Sequence, residues 1–320
     1  MQTVYIDHSG IQLEREGEAI LLRDRAGSRV TTLPTRAMER LILQGDVVCS
    51  TDALAHLLEH GVSVLMLSKR KSSRIASLVG APHADAAIRV MQYHLYGDPS
   101  FRLGIARRIL RAKLQGEVRL LQRLLDQGKG ARKTLLESRQ IIRKGLSGID
   151  EAPSITQGMG IEGASAAAYF SGIFSALPPD VTADVRSRRP PRDPANALLS
   201  LGYTLAHHEC VSAAYAVGLD PYIGFLHGLD YGRESLACDL VEFLRTLVDT
   251  FVLDLLQTRT LRRAHFHMDQ QSCLLEKAGR SHFYKAYAVI APDLRRMARR
   301  YAHWISRVVR DAASQKGLAP

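Results

Sequence analysis

Cysteine is scarce in this 320-residue chain, and its placement rules against two common uses. Cys49, Cys210, Cys238 and Cys273 lie far apart and form no C-x-x-C pair. That spacing argues against a disulfide framework or a zinc knuckle, and such isolated cysteines read as small buried residues. Long apolar runs are missing too. No uninterrupted stretch reaches the ~18 residues expected of a membrane-spanning helix. The start, MQTVYIDHSG, has no basic n-region and no apolar signal core. The expectation is a cytoplasmic protein with no membrane segment. Acidic residues are in short supply: 32 Asp and Glu stand against 43 Lys and Arg, for a formal net charge of +11. The pI of about 9.7 implies attraction to polyanions, of which nucleic acid is the commonest.

Apolar residues make up 46% of the chain and mean hydropathy is −0.08, enough for a sizeable core. The first part reads as β-rich. TVYID is a strand, IQLERE and AILLRD flank a turn at Gly17 as a hairpin, and DVVCS, VSVLMLS and RIASLVG are further strands. TDALAHLLEHG reads as a short capped helix. The turn-rich GAPHADA at 80–86 marks a boundary. Beyond it apolar residues recur at helical spacing from Phe101 to about Leu125, and again over 162–177, 195–217, 235–257 and 283–312. The fold class is therefore α+β. A small N-terminal β-rich domain over 1–82 precedes a larger all-α C-terminal domain over 83–320.

Positive charge concentrates in the helical part. Between Arg102 and Lys144 only Glu117, Asp126 and Glu137 oppose a long series of arginines and lysines. A solvated helix face normally mixes signs, so this imbalance points to a phosphate backbone. Several motifs fail on inspection. GMGIEG at 158–163 matches G-x-G-x-x-G but no strand precedes it, so no dinucleotide site is expected. It reads instead as a helix N-terminus from which Glu162 projects. His207, His208 and Glu209 lack the partners of the zincin and zinc-deaminase patterns and read as helix-surface residues. Asp239 and Glu242 share one face of a helix that is apolar nearly all round. Buried carboxylates need a cation, hydrogen bonds or protonation, and Arg245 is one available partner. His227 closes the glycine-flanked loop GLDPYIGFLHG; such a histidine is either a satisfied core residue or a ligand. One imidazole with carboxylates and no thiolate suits Mg2+ or Mn2+.

Four strings in this order, MGIEGASAAAYF, RRPPRDPANALLSLGYTL, GLDPYIGFLHG and SLACDLVEFLR, resemble the CRISPR-associated spacer-acquisition integrases, the Cas-one family, over essentially the whole chain. The resemblance implies a metal-binding triad of Glu162, His227 and Glu242. Asp239 stands beside it as a further catalytic-site acid and as the alternative ligand to Glu242. Phe243 stands where members often have a second acid, and Asn196 and Arg192 match a site-organising loop. The implied activity is metal-dependent integration of captured DNA fragments into a CRISPR array by 3′-hydroxyl transesterification, with endonucleolytic cleavage at the same site. The implied partners are double-stranded and branched DNA, a second copy of the chain through the N-terminal domain, and the small Cas-two protein. Candidate DNA-binding residues are Arg107, Arg111, Lys113, Arg189, Arg192 and Arg245. The alternative is a non-catalytic DNA-binding scaffold of the same fold.

Overall fold

A computed structural model describes residues 2–68, 74–80, 85–188, 190–269 and 272–317. The chain divides into two units, Met1–Pro82 with Tyr284–Ala291, and His83–Phe283 with Pro292–Pro320. The expected boundary at 82/83 lies outside the described residues.

The first unit holds strands β1 (Gln2–Ile6), β2 (Ile11–Glu16), β3 (Ala19–Arg23), β4 (Arg29–Pro34), β5 (Met38–Gln44), β6 (Val47–Cys49), β7 (Ser63–Leu67) and β8 (Arg74–Leu78), with helix α1 (Thr51–Glu59) between β6 and β7. One sheet runs β1-β5-β7-β8 and the other β4-β3-β2-β6. The β2–β3 pair is the expected hairpin, with Leu13 opposite Leu22 and Arg15 opposite Ile20. β5 pairs in parallel with β1 and β7 at the centre of its sheet. Glu39 and Arg40 interrupt the apolar run of β5, so its sequence lacks a clear strand pattern. Arg40 is nonetheless buried, its Nε donating to Ser63 Oγ at 3.0 Å. Ser50 caps α1 by accepting from Ala53 N. Ile6, Leu13, Ile20, Leu41, Leu57 and Val64, from both sheets and α1, fill one core.

The second unit is built on α2 (Ala87–Tyr96), α3 (Pro99–Asp126), α4 (Arg132–Glu151), α5 (Ile155–Phe174), α6 (Pro194–Ala216) and α7 (Ser235–Gln257). Helix α8 (Lys277–Gln315) supplies residues to both units. Asp98 with Pro99 starts α3, Ser154 starts α5, and Asp193 with Pro194 starts α6, the side chains and prolines that favour a first turn. One two-stranded hairpin, β9 (Phe266–Asp269) with β10 (Ser272–Leu275), interrupts the expected all-α part. α3 packs against α4, α5 and α7, and α6 against α7. Small residues allow these approaches: a Cβ on Gly202 of α6 would lie 2.7 Å from Val248 Cγ1 of α7. No helix among the described residues is long and apolar enough to cross a membrane.

Gly202→Val should overpack that crossing, because a Cβ there already comes within 2.7 Å of Val248 Cγ1 and Val248, β-branched in a helix, strongly prefers one rotamer. The gain in helix propensity is small beside an expected loss of about 1–3 kcal/mol. A urea titration should show a lower midpoint at unchanged slope; an unchanged midpoint would contradict the tight approach.

Candidate active site

The loop of His227 is fixed by the helix that follows it. Just past the end of α6 the chain turns at Gly218, whose φ of +82° a side chain would strain. The chain then turns back on α7. Asp239, fully buried, collects the loop's backbone: Oδ2 accepts from Phe225 N at 2.6 Å and Leu226 N at 3.0 Å, and Oδ1 from His227 N at 2.9 Å. Successive N–H groups around one carboxylate form an anion nest. Oδ1 also meets His227 Nδ1 at 2.7 Å. Gly224 permits the approach, since a Cβ there would lie 2.6 Å from Ser235 C and 2.9 Å from Asp239 Oδ2. Ser235 Oγ and Arg233 Nη2 donate to Gly228 O at 2.7 and 2.8 Å, closing the far side. The imidazole is thereby oriented, with Nε2 the ring atom left for a ligand. Asp239 thus has both oxygens engaged by this loop and holds the His227 ring in place.

Glu242 lies one turn further along α7 and is buried. Arg245 grips it in a bidentate fork, Nε to Oε2 at 2.8 Å and Nη2 to Oε1 at 2.9 Å. Lys113 of α3 places its ammonium 2.8 Å from Glu242 Oε2 and also pairs with Glu162 of α5. One ammonium thus joins two carboxylates from two helices. Burial opposes ionisation of Glu242, but Arg245 and Lys113 more than offset it and hold the carboxyl well below the usual range. Burial likewise opposes the charge on Lys113, and Glu242 and Glu162 more than restore it.

Around this triplet lies a shell of buried polar groups. Asp249 accepts hydroxyls from Tyr169, at 2.6 Å, and from Tyr203. The Arg245 guanidinium stacks over Tyr203, 4.8 Å from its ring centre. Arg186 donates to Asn196 Oδ1 at 2.8 Å, and Asn196 Nδ2 donates to Val185 O at 2.9 Å and Asp193 Oδ2 at 2.6 Å, tying the 185–187 segment to the start of α6. Burial pushes the Arg186 guanidinium down to about 10, still charged at neutral pH. Glu117 sits one turn beyond Lys113 on α3, is 2% exposed, and its Oε2 has no hydrogen-bond partner among the described residues. Burial pushes its carboxyl up to about 8, against the pull of Lys113.

Several expectations need correction. Glu162 is not at a helix N-terminus: α5 begins at Ile155, and Glu162 occupies its third turn. Of the glycines of GMGIEG, Gly158 lies against Leu110, whereas Gly160 and Gly163 face open space. His208 and Glu209 are buried rather than on the helix surface, and His207 Nε2 meets Glu234 Oε2 at 2.7 Å. Lys113 and Arg245 were expected on a DNA-facing surface. Both are drawn inward by Glu242, with side chains 6% and 16% exposed. Arg107 donates to Ala152 O at 2.7 Å, satisfying the C-terminal end of α4, and Arg111 pairs with Asp150. Arg192 is exposed, and Arg189 lies outside the described residues. Phe243, which stands where members often have a second acid, stacks on Tyr301 of α8 with ring centres 3.8 Å apart. The triad Glu162, His227 and Glu242 is not drawn together within 4.8 Å; the set of described residues that meets that spacing is Glu18, His56 and His60 in the first unit.

Two carboxylates already gathered around a cation, and an imidazole whose Nδ1 is held by a carboxylate so that Nε2 faces outward, are the donor types of a hard to borderline divalent ion. Glu162 and Glu242, joined through the Lys113 ammonium, and the His227 ring supply those donor types without lying within 4.8 Å of one another.

A family model for CRISPR associated protein Cas1 matches residues 4–288. The chain is 38% identical over 291 residues to the CRISPR-associated endonuclease Cas1 1 of Thermodesulfovibrio yellowstonii, covering 90% of each. It resembles the solved Cas1 protein of Thermotoga maritima with a TM-score of 0.83 and 25% identity, over 96% of this chain and 97% of that one. A casposase bound to an integration product shares the fold, with a TM-score of 0.81 at 21% identity over 96% of this chain and 91% of that chain.

Glu117 makes stability depend on pH in a definite direction. It binds a proton more tightly folded, at about 8, than an ordinary glutamate does at 4.5. Its contribution is complete below the lower value and is lost as pH rises toward the upper one. Glu117→Gln keeps the shape but cannot ionise. Its unfolding midpoint should fall less than the parent's between about pH 5 and pH 8; parallel declines would show that Glu117 is not buried protonated.

Proposed function

We propose a function from one premise: this chain belongs to the CRISPR-associated protein Cas1 family. On that premise the chain is a metal-dependent DNA integrase and endonuclease that inserts captured fragments as new spacers into a CRISPR array. The observation that carries this reading is the Lys113 ammonium lying between Glu162 and Glu242, a cation position made by two helices.

The reaction is a transesterification. A fragment 3′-hydroxyl attacks a repeat-end phosphodiester, one phosphorus–oxygen bond forms and one breaks, and the hydroxyl proton ends on the leaving oxygen. Glu162, Glu242 and His227 Nε2 are the residues that would hold Mg2+ or Mn2+, and a bound ion would supply stabilisation of charge on the phosphate oxygens and ease ionisation of the attacking hydroxyl. Asp239 keeps the imidazole aimed and in one tautomer. Lys113, released from the carboxylates, is placed to meet a phosphate oxygen. With water as nucleophile the same residues support strand cleavage. Arg108, Arg111, Arg119, Arg123 and Lys144 are exposed on α3 and α4 and bind backbone without reading bases, as capture of varied fragments requires. The partners are double-stranded and branched DNA, a second copy of the chain through its N-terminal β-rich part, and the Cas-two protein. A non-catalytic DNA-binding scaffold is the rival, favoured by the full engagement of Glu242 by Arg245 and Lys113.

Glu162→Gln and His227→Ala should each lower metal-dependent strand transfer on branched DNA by roughly 100-fold or more, with unchanged circular dichroism. EDTA should abolish transfer while leaving DNA binding intact. Wild-type rates in both variants would sink the site, and absence of metal-dependent chemistry would favour the scaffold. DNA affinity should also fall steeply with salt, with a log–log slope of about −0.9 for each phosphate neutralised. A flat response would remove the case for a basic DNA-binding face.

A further inference from the structure

The first unit carries a second set of ligand-type side chains, unconnected with the residues above. Glu18 lies in the turn between β2 and β3, His56 in the last turn of α1, and His60 just after it. One donor atom of each lies within 4.8 Å of the other two.

Hydrogen bonds engage two of the four imidazole nitrogens. His60 Nδ1 donates to His56 O at 2.9 Å, which leaves Nε2 facing Glu18 Oε2 at 3.4 Å. An imidazole nitrogen and a carboxylate so placed can share either a proton or a metal ion. The separation is longer than the ~2.7–2.9 Å of a charge-assisted hydrogen bond. It matches the edge of a tetrahedron, about 3.3–3.4 Å when the bonds to the ion are near 2.0–2.1 Å. His56 Nε2 meets the buried Thr35 Oγ1 at 3.0 Å. His56 Nδ1 has no hydrogen-bond partner among the described residues although the side chain is buried, which is unusual for a nitrogen so placed. The surroundings hold these atoms in place. Thr35 N donates to Glu18 O at 3.1 Å, so one residue braces both the carboxylate's backbone and the buried ring. The two rings lie 4.2 Å apart.

We propose that Glu18 Oε2, His56 Nδ1 and His60 Nε2 bind a borderline divalent transition-metal ion, with Zn2+ as the reference ion and water in a fourth position. Two imidazoles with one carboxylate select such an ion over Mg2+. The bound ion clips the C-terminal end of α1 to the β2–β3 turn.

The test uses the full chain carrying Glu162→Gln and His227→Ala, so that the proposed active site cannot supply the signal. After chelator treatment and dialysis, calorimetry with Zn2+ should show one ion bound per chain, and Co2+ should give the intense visible absorption of a tetrahedral centre. Adding Glu18→Gln or His60→Gln, both at exposed positions where folding is undisturbed, should abolish the Co2+ absorption. Thr35→Val should weaken Zn2+ binding by roughly 10–100-fold through the ring it orients. Zn2+ should raise the melting temperature of the parent only. No ion bound by the parent, or equal affinity in the Glu18 and His60 variants, would overturn the proposal.

Discussion

The second unit depends on one ion triplet, Lys113 held between Glu162 and Glu242. Three helices meet there, and each brings a charge that none could bury alone. An isolated buried ion costs several kcal/mol even after relaxation, which is far more than a surface pair returns. The helices α3, α5 and α7 must therefore keep their register for the charges to meet. Apolar contacts between them tolerate a small slide; the ammonium does not. The Arg245 fork and the Tyr203 ring beneath it extend the same constraint to α6.

Asp239 solves a different problem with the same chemistry. The loop before α7 has no regular structure to satisfy its backbone, and three of its N–H groups converge on one buried carboxylate. That carboxylate also holds the ring of His227. Folding the loop and aiming the imidazole are thus one event. The division of labour along α7 follows: the acid nearer the helix start builds the loop, and the one a turn later faces the cations.

Much of this was legible in the sequence, and the failures are instructive. The hairpin at Gly17 and helix α1 follow local rules of alternation and capping. The strings around Glu162, His227 and Glu242 pointed to a site by resemblance. Lys113 was misread as a surface charge, yet the signal was present: Leu110, Lys113, Leu114, Glu117 and Leu121 lie on one stripe of α3, the buried one. Counting sign along the chain hid what counting position would have shown. Charged residues interrupt strand β5 and helix α4 and mask their periodicity, and three glycines in the first half of α5 hide its true start at Ile155, seven residues before Glu162. Propensity reports the isolated chain, whereas Gly158 answers to Leu110 on α3 and Ile149 on α4. The cluster of Glu18, His56 and His60 has no local signature at all, since a turn and a helix end must first come together.

Under the proposed function, charge balance sets the terms on which a divalent ion enters. Glu242 is already matched by a bidentate guanidinium, and Lys113 is shared between it and Glu162. Two carboxylates with two cations present no net negative charge, so an incoming ion competes with an ammonium. Of the two cations, Lys113 is the one able to leave: it is a single charge on a flexible stem, whereas Arg245 is a planar fork stacked on a ring. The displaced ammonium then needs an anion, and a DNA phosphate is one. Ion and phosphate each supply the charge that the other's arrival leaves unmatched. By reciprocity of linkage, each raises the affinity of the site for the other by the same factor. A site that is electrically complete without substrate is thereby biased to take its ion when DNA is present.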